Sequence, residues 1–401
     1  MAKQFEFGLD TFGDVTAGQS GELLSQAEVI RNVVEEAVLA DELGVNAFGV
    51  GEHHRPDFAV SAPEIVLGTI AGRTKHIHLG SAVTVLSTDD PIRVFERFST
   101  LNAASGGRAE ITVGRGSFTE SFPLFGYELA NYEVLFEEKL DLFVALLKSD
   151  KVTWQGNLRP PLKDQGIYPR IEDGPLKTWV GVGGSPESVV RAAHYDLPLA
   201  LAIIGGDPRR FQPFVDLYRR AFAQYGRPVK DIAVHSPGHV ADTDAQAREE
   251  YWTGYKSMHD KIGGDPKRFQ PFVDLYRRAF AQYGRQVKDI AVHSPGHVAD
   301  TDAQAREEYW TGYKSMHDKI GGERGWPPIG RAQFEQEVER GSLYVGAPET
   351  VARKIASTAK ALGLMRFDMK YSGGTLPHDK MMRSIELYGT KVMPLVRETL
   401  G

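Results

Sequence analysis

Residues 24–54, LSQAEVIRNVVEEAVLADELGVNAFGVGEHH, decide the reading of the fold. Ile30, Val33, Val34, Ala37, Val38 and Leu43 recur at helical spacing, so Leu24–Leu43 is expected to be a helix with one buried stripe. Gly44 follows the last periodic residue, where a glycine ends helices readily. Asn46–Val50 then changes to a short apolar run, a strand, and the chain leaves it through Glu52-His53-His54. A helix feeding a strand that delivers polar residues at its end is the unit of a parallel α/β fold.

The same alternation extends in both directions. Strands are expected over residues 5–9, 46–50, 77–86, 109–113, 178–182, 199–204, 232–239 and 366–371, with amphipathic helices between them. Ser61-Ala62-Pro63-Glu64 has the pattern of a capping box, and Asp90-Pro91 opens a helix that Gly106-Gly107 stops. Residues 151–175 are a polar, proline-bearing excursion. Eight strand–helix units predict a single (β/α)₈ barrel over residues 1–401, with its active site at the C-terminal ends of the strands.

One segment occurs twice. Residues 205–262 recur as 263–320 at an offset of 58, differing only at Arg209/Lys267 and Pro228/Gln286. Such near-identity, once and in mid-chain, points to a recent duplication or to engineering rather than an old repeat architecture. Subtracting 58 from 401 leaves 343 residues, an ordinary length for an α/β barrel. The unit reads helix, strand, helix, so the seventh strand is present in two copies. The expectation is a retained eight-stranded barrel with one copy outside it. A ninth strand would disturb the coupled tilt and shear of the closed sheet.

Composition narrows the function. Lys and Arg number 47 against 53 Asp and Glu, and no basic stripe suggests nucleic acid. The absence of cysteine excludes disulfides and thiolate chemistry. The N-terminus lacks a signal-peptide core, and no apolar run reaches the roughly 18 residues of a membrane helix, so a cytoplasmic location is expected. His-Glu-x-x-His is missing, as is an alternating His-x-His in the first strand, so no metal is expected.

Three strand ends carry candidate chemistry. Gly183-Gly184-Ser185-Pro186-Glu187-Ser188 offers free backbone N–H groups, a helix dipole and two hydroxyls, which suit a phosphate; the same residues also suit an ordinary N-cap. Gly114-Arg115-Gly116-Ser117 offers an arginine between glycines, for phosphate or for a surface turn. Both follow strands and therefore share one face of the barrel. In Glu52-His53-His54 successive side chains point opposite ways, so one histidine at most faces the mouth, as a general acid or base or as part of a structural pair. His235 and His239, repeated as His293 and His297, read as structural, and Trp252 and Trp310 as core.

Gly51-Glu52-His53-His54, residues 79–86 (LGSAVTVL), Asp90-Pro91-Ile92-Arg93, Ser105-Gly106-Gly107-Arg108, Gly114-Arg115-Gly116 and the ending Ser384–Leu387 with Val392-Met393-Pro394 together resemble the bacterial luciferase-like family of flavin-dependent monooxygenases. The resemblance implies a (β/α)₈ barrel that binds reduced FMN, with NADH or NADPH as the ultimate electron source. FMN would be reduced in place or supplied by a separate flavin reductase. It implies a small organic substrate, molecular oxygen as oxidant and a homodimer. By position, Arg115, Ser117, Gly184, Ser185 and Ser188 would hold the FMN phosphate, Ala82 and Val83 would form a non-proline cis peptide beneath the flavin, and His53 would be catalytic. Where the luciferase phosphate loop has a glutamate, this chain has Gly184, whose N–H still serves phosphate. The loop Gly325–Pro328 would act as a lid. Two other functions remain open: a deazaflavin-dependent dehydrogenase on the same barrel, and a flavin-binding subunit without catalysis.

Overall fold

In the computed structural model, Ser25 closes a capping box. Its Oγ accepts from the Glu28 N–H at 3.3 Å, and Glu28 accepts from the Ser25 N–H at 3.0 Å. The helix that follows, α1 (Gln26–Glu42), buries Val29, Val33, Val34, Ala37 and Ala40, and the chain turns through Gly44 at φ +73° into β2 (Ala47–Val50). The structure describes residues 5–18, 22–116, 118–203, 207–244, 246–248, 250–251, 336, 338–372 and 376–401. The second copy of the repeat (263–320), Trp252, Trp310, His293, His297 and the candidate lid Gly325–Pro328 lie outside these residues.

Around the barrel run β1 (Glu6–Thr11), β2, β3 (His78–Ser81) with β4 (Thr84–Val85), β5 (Glu110–Gly114), β8 (Lys177–Val182), β9 (Leu199–Ala202), β10 (Ile232–Val240) and β12 (Arg366–Lys370), every neighbouring pair parallel. β3 pairs with β2 and β4 with β5, so the expected third strand is present in two halves, separated by Ala82-Val83. A bridge between Leu79 and Ala109 and the exchange between Ser81 Oγ and the Thr112 backbone join the halves to β5 and close the ring. With those halves taken as one strand, eight strands surround the axis, and the fold is the expected barrel.

Helices α2 (Pro63–Ala71), α3 (Pro91–Ser105), α5 (Tyr132–Lys148), α6 (Pro186–His194), α7 (Gln212–Gln224) and α8 (Pro348–Leu362) join α1 outside the sheet, as do α9 (His378–Leu387) and α10 (Met393–Leu400) at the chain's end. A four-residue helix, α4 (Ser121–Leu124), follows β5. Their apolar faces and the outward residues of the strands, such as Phe7, Leu9, Phe48, Leu79, Ile111 and Val234, form one continuous core.

Local readings were corrected in three places. Ser61 and Glu64 do not form a capping box: Ala62 is the N-cap, without a side-chain bond, and Glu64 is drawn instead into an ion pair with Arg97 at 3.3 Å. The excursion at 151–175 contains an antiparallel hairpin of β6 (Lys151–Trp154) and β7 (Leu162–Gly166), whose alternating, mostly exposed side chains left no apolar run to detect. A short extra strand, β11 (Tyr344–Gly346), pairs with the far end of β10.

Alternate residues of each strand point into the lumen, and several of these are charged. Arg366 donates to Glu110 at 2.5 Å and to Asp368 at 2.7 Å, Trp179 Nε1 donates to Glu110 at 3.0 Å, and His235 bonds Asp10 through Nδ1. His235 is therefore structural, as read from the sequence, and so is His239, buried against Glu250 at 2.8 Å.

Both edges of β10, the strand of the first repeat copy, are hydrogen-bonded, to β9 and to β12. A chain lacking residues 263–320 is accordingly expected to fold to the same barrel, with a thermal midpoint within about 4 °C of the parent. Loss of the cooperative unfolding transition would show that the second copy is required. A further expectation concerns pH. Burial disfavours the charged form of His235, but the Asp10 and Asp368 carboxylates outweigh it and raise its pKa from 6.5 to about 9. The protonated ring then stabilises the fold fully below pH 6.5 and ceases to do so as pH rises through about 9. Urea midpoints should fall across that window, and His235→Gln should flatten the fall; parallel profiles for the two proteins would refute the pairing.

Candidate functional site

The mouth of the barrel is shaped by what its glycines permit. A Cβ at Gly51 would stand 2.7 Å from the Ala82 carbonyl oxygen, and one at Gly114 would stand 2.7 Å from Val83 Cγ2. Only glycine lets β2 and β5 approach the segment this closely. The Ala82–Val83 peptide is cis, as the resemblance implied. Ala82 is bordered by β2, which leads to His53, while Val83 is bordered by β5 and β8, which lead to Arg115 and Ser185. The dipeptide thus sits between the two polar groups of the mouth.

The first group surrounds the start of α6. Ser185 is the N-cap, its Oγ accepting from the Ser188 N–H at 3.2 Å, and Pro186 occupies the first helical position. Gly184 precedes it at φ +111°, a conformation that favours glycine. Arg115, arriving from β5, donates to Ser188 Oγ at 3.3 Å, forms an ion pair with Glu133 and lies over the Tyr132 ring. Arg191 donates to the same Ser188 Oγ at 3.3 Å and pairs with Glu137. Two guanidinium groups, two hydroxyls and a helix N-terminus therefore converge, an arrangement suited to an anion. Sequence reasoning missed Arg191; its signal was the spacing of three residues from Ser188, which puts both on one helix face. Ser117 lies outside the described residues.

The second group contains the histidines. His53 is buried among the rings of Phe12, Phe58 and Phe118, with centroids 4.9, 4.6 and 4.6 Å from its own. Its Nδ1 lies 3.2 Å from Glu120 Oε1. His54 turns the other way, as alternation requires, and meets Glu52 at 2.9 Å. That hydrogen bond is the main reason its pKa rises above 6.5. Glu52 also accepts from the Val85 N–H at 3.2 Å, holding the backbone just past the cis peptide. Lys370, at the end of β12, donates to Asp14 at 2.8 Å and lies 4.8 Å from the Phe12 ring that packs on His53. Burial holds the Lys370 ammonium below its usual pKa although Asp14 opposes this. Glu120, Phe12, Phe118 and Lys370 were not legible beforehand, because they reach His53 from three other strand ends, those of β5, β1 and β12. Among the described residues no group of three or more His, Cys, Asp or Glu side chains could hold a metal ion, and no helix is long and apolar enough to cross a membrane.

Comparison with known proteins bears on the family and the fold. The chain is 33% identical over 393 residues to the uncharacterised protein y4vJ of Sinorhizobium fredii, covering 96% of this chain and 97% of that one. It is 27% identical over 298 residues to the N-acetyl-S-alkylcysteine monooxygenase of Bacillus subtilis, covering 72% and 84%. Among solved structures, the oxygenating constituent of 3,6-diketocamphane monooxygenase from Pseudomonas putida, in complex with FMN, superposes with a TM-score of 0.64 at 17% identity, covering 98% of each chain. The coenzyme F420-dependent tetrahydromethanopterin reductase of Methanopyrus kandleri does so with 0.66 at 18% identity, covering 98% and 99%. These two likenesses concern the fold. The profile of the luciferase-like monooxygenase family matches residues 11–263, more than half of the sequence, and on that match the chain belongs to the luciferase-like monooxygenase family.

Proposed function

We propose that the protein is a flavin-dependent monooxygenase that uses reduced FMN and molecular oxygen to oxidise a small organic substrate. The observation that carries this reading is the convergence of Arg115 and Arg191 on Ser188 at the N-terminus of α6, on the same end of the barrel as His53. The residues fit a phosphate-bearing cofactor. A Cβ at Gly183 would meet nothing within 4 Å among the described residues, which leaves space beside the start of α6. When bound, FMN supplies the electrons and the reaction with oxygen.

The chain's own residues then have distinct tasks. Arg115, Arg191, Ser185 and Ser188 hold the phosphate. The glycine-lined Ala82–Val83 segment forms the surface against which the ring system rests. Phe12, Phe58 and Phe118 keep water from His53, and His53 handles a proton near the reacting atoms. The monooxygenase relatives favour oxygen chemistry, whereas the reductase that shares the fold keeps hydride transfer with a deazaflavin as the second reading.

Two measurements test the proposal. Arg115→Ala and Arg191→Ala are each expected to weaken FMN binding about tenfold or more, as loss of a charge-assisted hydrogen bond of roughly 1.5–3 kcal/mol requires. Unchanged affinity in a fluorescence titration would remove the phosphate assignment. The protein with FMN, NADH or NADPH and an added flavin reductase should turn over a small organic substrate with oxygen, and His53→Gln should slow this by roughly 10²-fold or more. Turnover with a 5-deazaflavin and none with FMN would instead select the dehydrogenase.

A further inference from the structure

Glu120 is not used by the proposal above, yet it is the group nearest the His53 ring nitrogen. It stands on the segment after β5, half-buried, with Oε1 at 3.2 Å from His53 Nδ1 and 3.5 Å from the His54 N–H. Its other oxygen, Oε2, is buried and has no hydrogen-bond partner among the described residues. Phe118, two residues earlier, packs edge-on against the His53 ring, so the same short segment supplies both the wall and the carboxylate.

An ionised carboxylate only accepts hydrogen bonds. Burial disfavours the Glu120 charge, but hydrogen bonds from His53 and from backbone N–H groups outweigh it and hold the carboxyl below its usual pKa. With Glu120 ionised, Nδ1 of His53 must be the donor. In the neutral ring the lone pair is then on Nε2, and a proton taken up there creates an imidazolium whose charge Glu120 offsets.

The other charged groups around the ring are engaged elsewhere. Arg55 bonds Asp57 and touches the ring only through Phe118. Lys370 bonds Asp14 and touches it only through Phe12. Glu52 and His54 bond each other. Among the described residues Glu120 is thus the charged group that hydrogen-bonds the His53 ring.

We propose that Glu120 is the positioning residue of His53, fixing its proton on Nδ1 so that Nε2 accepts and delivers the proton of the reaction. The use of that proton in turnover rests on the proposed function; the pair itself does not.

The test uses the full-length protein labelled with ¹⁵N-histidine, the His53 signal being assigned by its loss in His53→Gln. Nitrogen shifts should show neutral His53 protonated at Nδ1. In Glu120→Leu, which can accept no hydrogen bond, the neutral ring should lose its preference for Nδ1–H and show a mixture of the two tautomers. Glu120→Asp keeps the carboxylate and should restore the Nδ1–H form. A merely structural glutamate would alter thermal stability without moving the nitrogen shifts. An unprotonated Nδ1 in the parent protein, or an unchanged tautomer in a folded Glu120→Leu protein, would overturn the inference. If the tautomer changes but His53→Gln leaves substrate turnover intact, the pair stands and the catalytic assignment of His53 fails.

Discussion

Arg366 holds the barrel from inside. From β12 its guanidinium crosses to Glu110 on β5, on another side of the ring, while its Nε is tied to Asp368 on its own strand. Trp179 and Lys177 of β8 bond or face the same glutamate, so three strands meet at one carboxylate. The arginine and the glutamate are almost wholly buried. Burial alone would raise the Glu110 pKa; Arg366, Lys177 and His78 reverse this and bring it to about 2. A lumen filled this way depends on mutual neutralisation, because removing one partner leaves a bare charge in a medium that cannot solvate it, at a cost of about 3–5 kcal/mol.

That choice of filling dictates the residues around it. Gly8 stands beside Asp368 on the neighbouring strand, where a Cβ would lie 1.7 Å from the Asp368 oxygen, and Gly49 stands beside Asp10, where a Cβ would lie 2.2 Å away. The inward positions of β1 and β2 are therefore glycine where carboxylates occupy the space. One layer higher the same economy of side chains leaves room at the mouth, at Gly51, Gly114 and Gly181, where the Ala82–Val83 segment turns.

The first copy of the repeat takes part in the same closure. β10 of the first copy is paired on one edge with β9 and on the other with β12, and its His235 belongs to the lumen network through Asp10. Among the described residues the first copy alone therefore supplies the strand between β9 and β12.

Periodicity along the chain determined the number, order and direction of the barrel strands, because apolar residues at spacings of two and 3.6 report which face of an element is buried. Local motifs likewise determined the Ser185 cap, the arginine between glycines and the opposed facing of His53 and His54. Every one of these is a relation between residues close in sequence. Pairings across the chain were decided only by the tertiary structure: Glu120 with His53 across 67 positions, Glu110 with Arg366 across 256, and Lys370 with Asp14 across 356. The capping box at Ser61 was lost for the same reason, since Glu64 found a better partner in Arg97. The sequence by itself determined the barrel and the face on which its chemistry lies, through short-range patterns of burial. The tertiary structure decided which charges meet there, because a charge buried by folding takes the partner that closure of the sheet brings within reach, however distant along the chain.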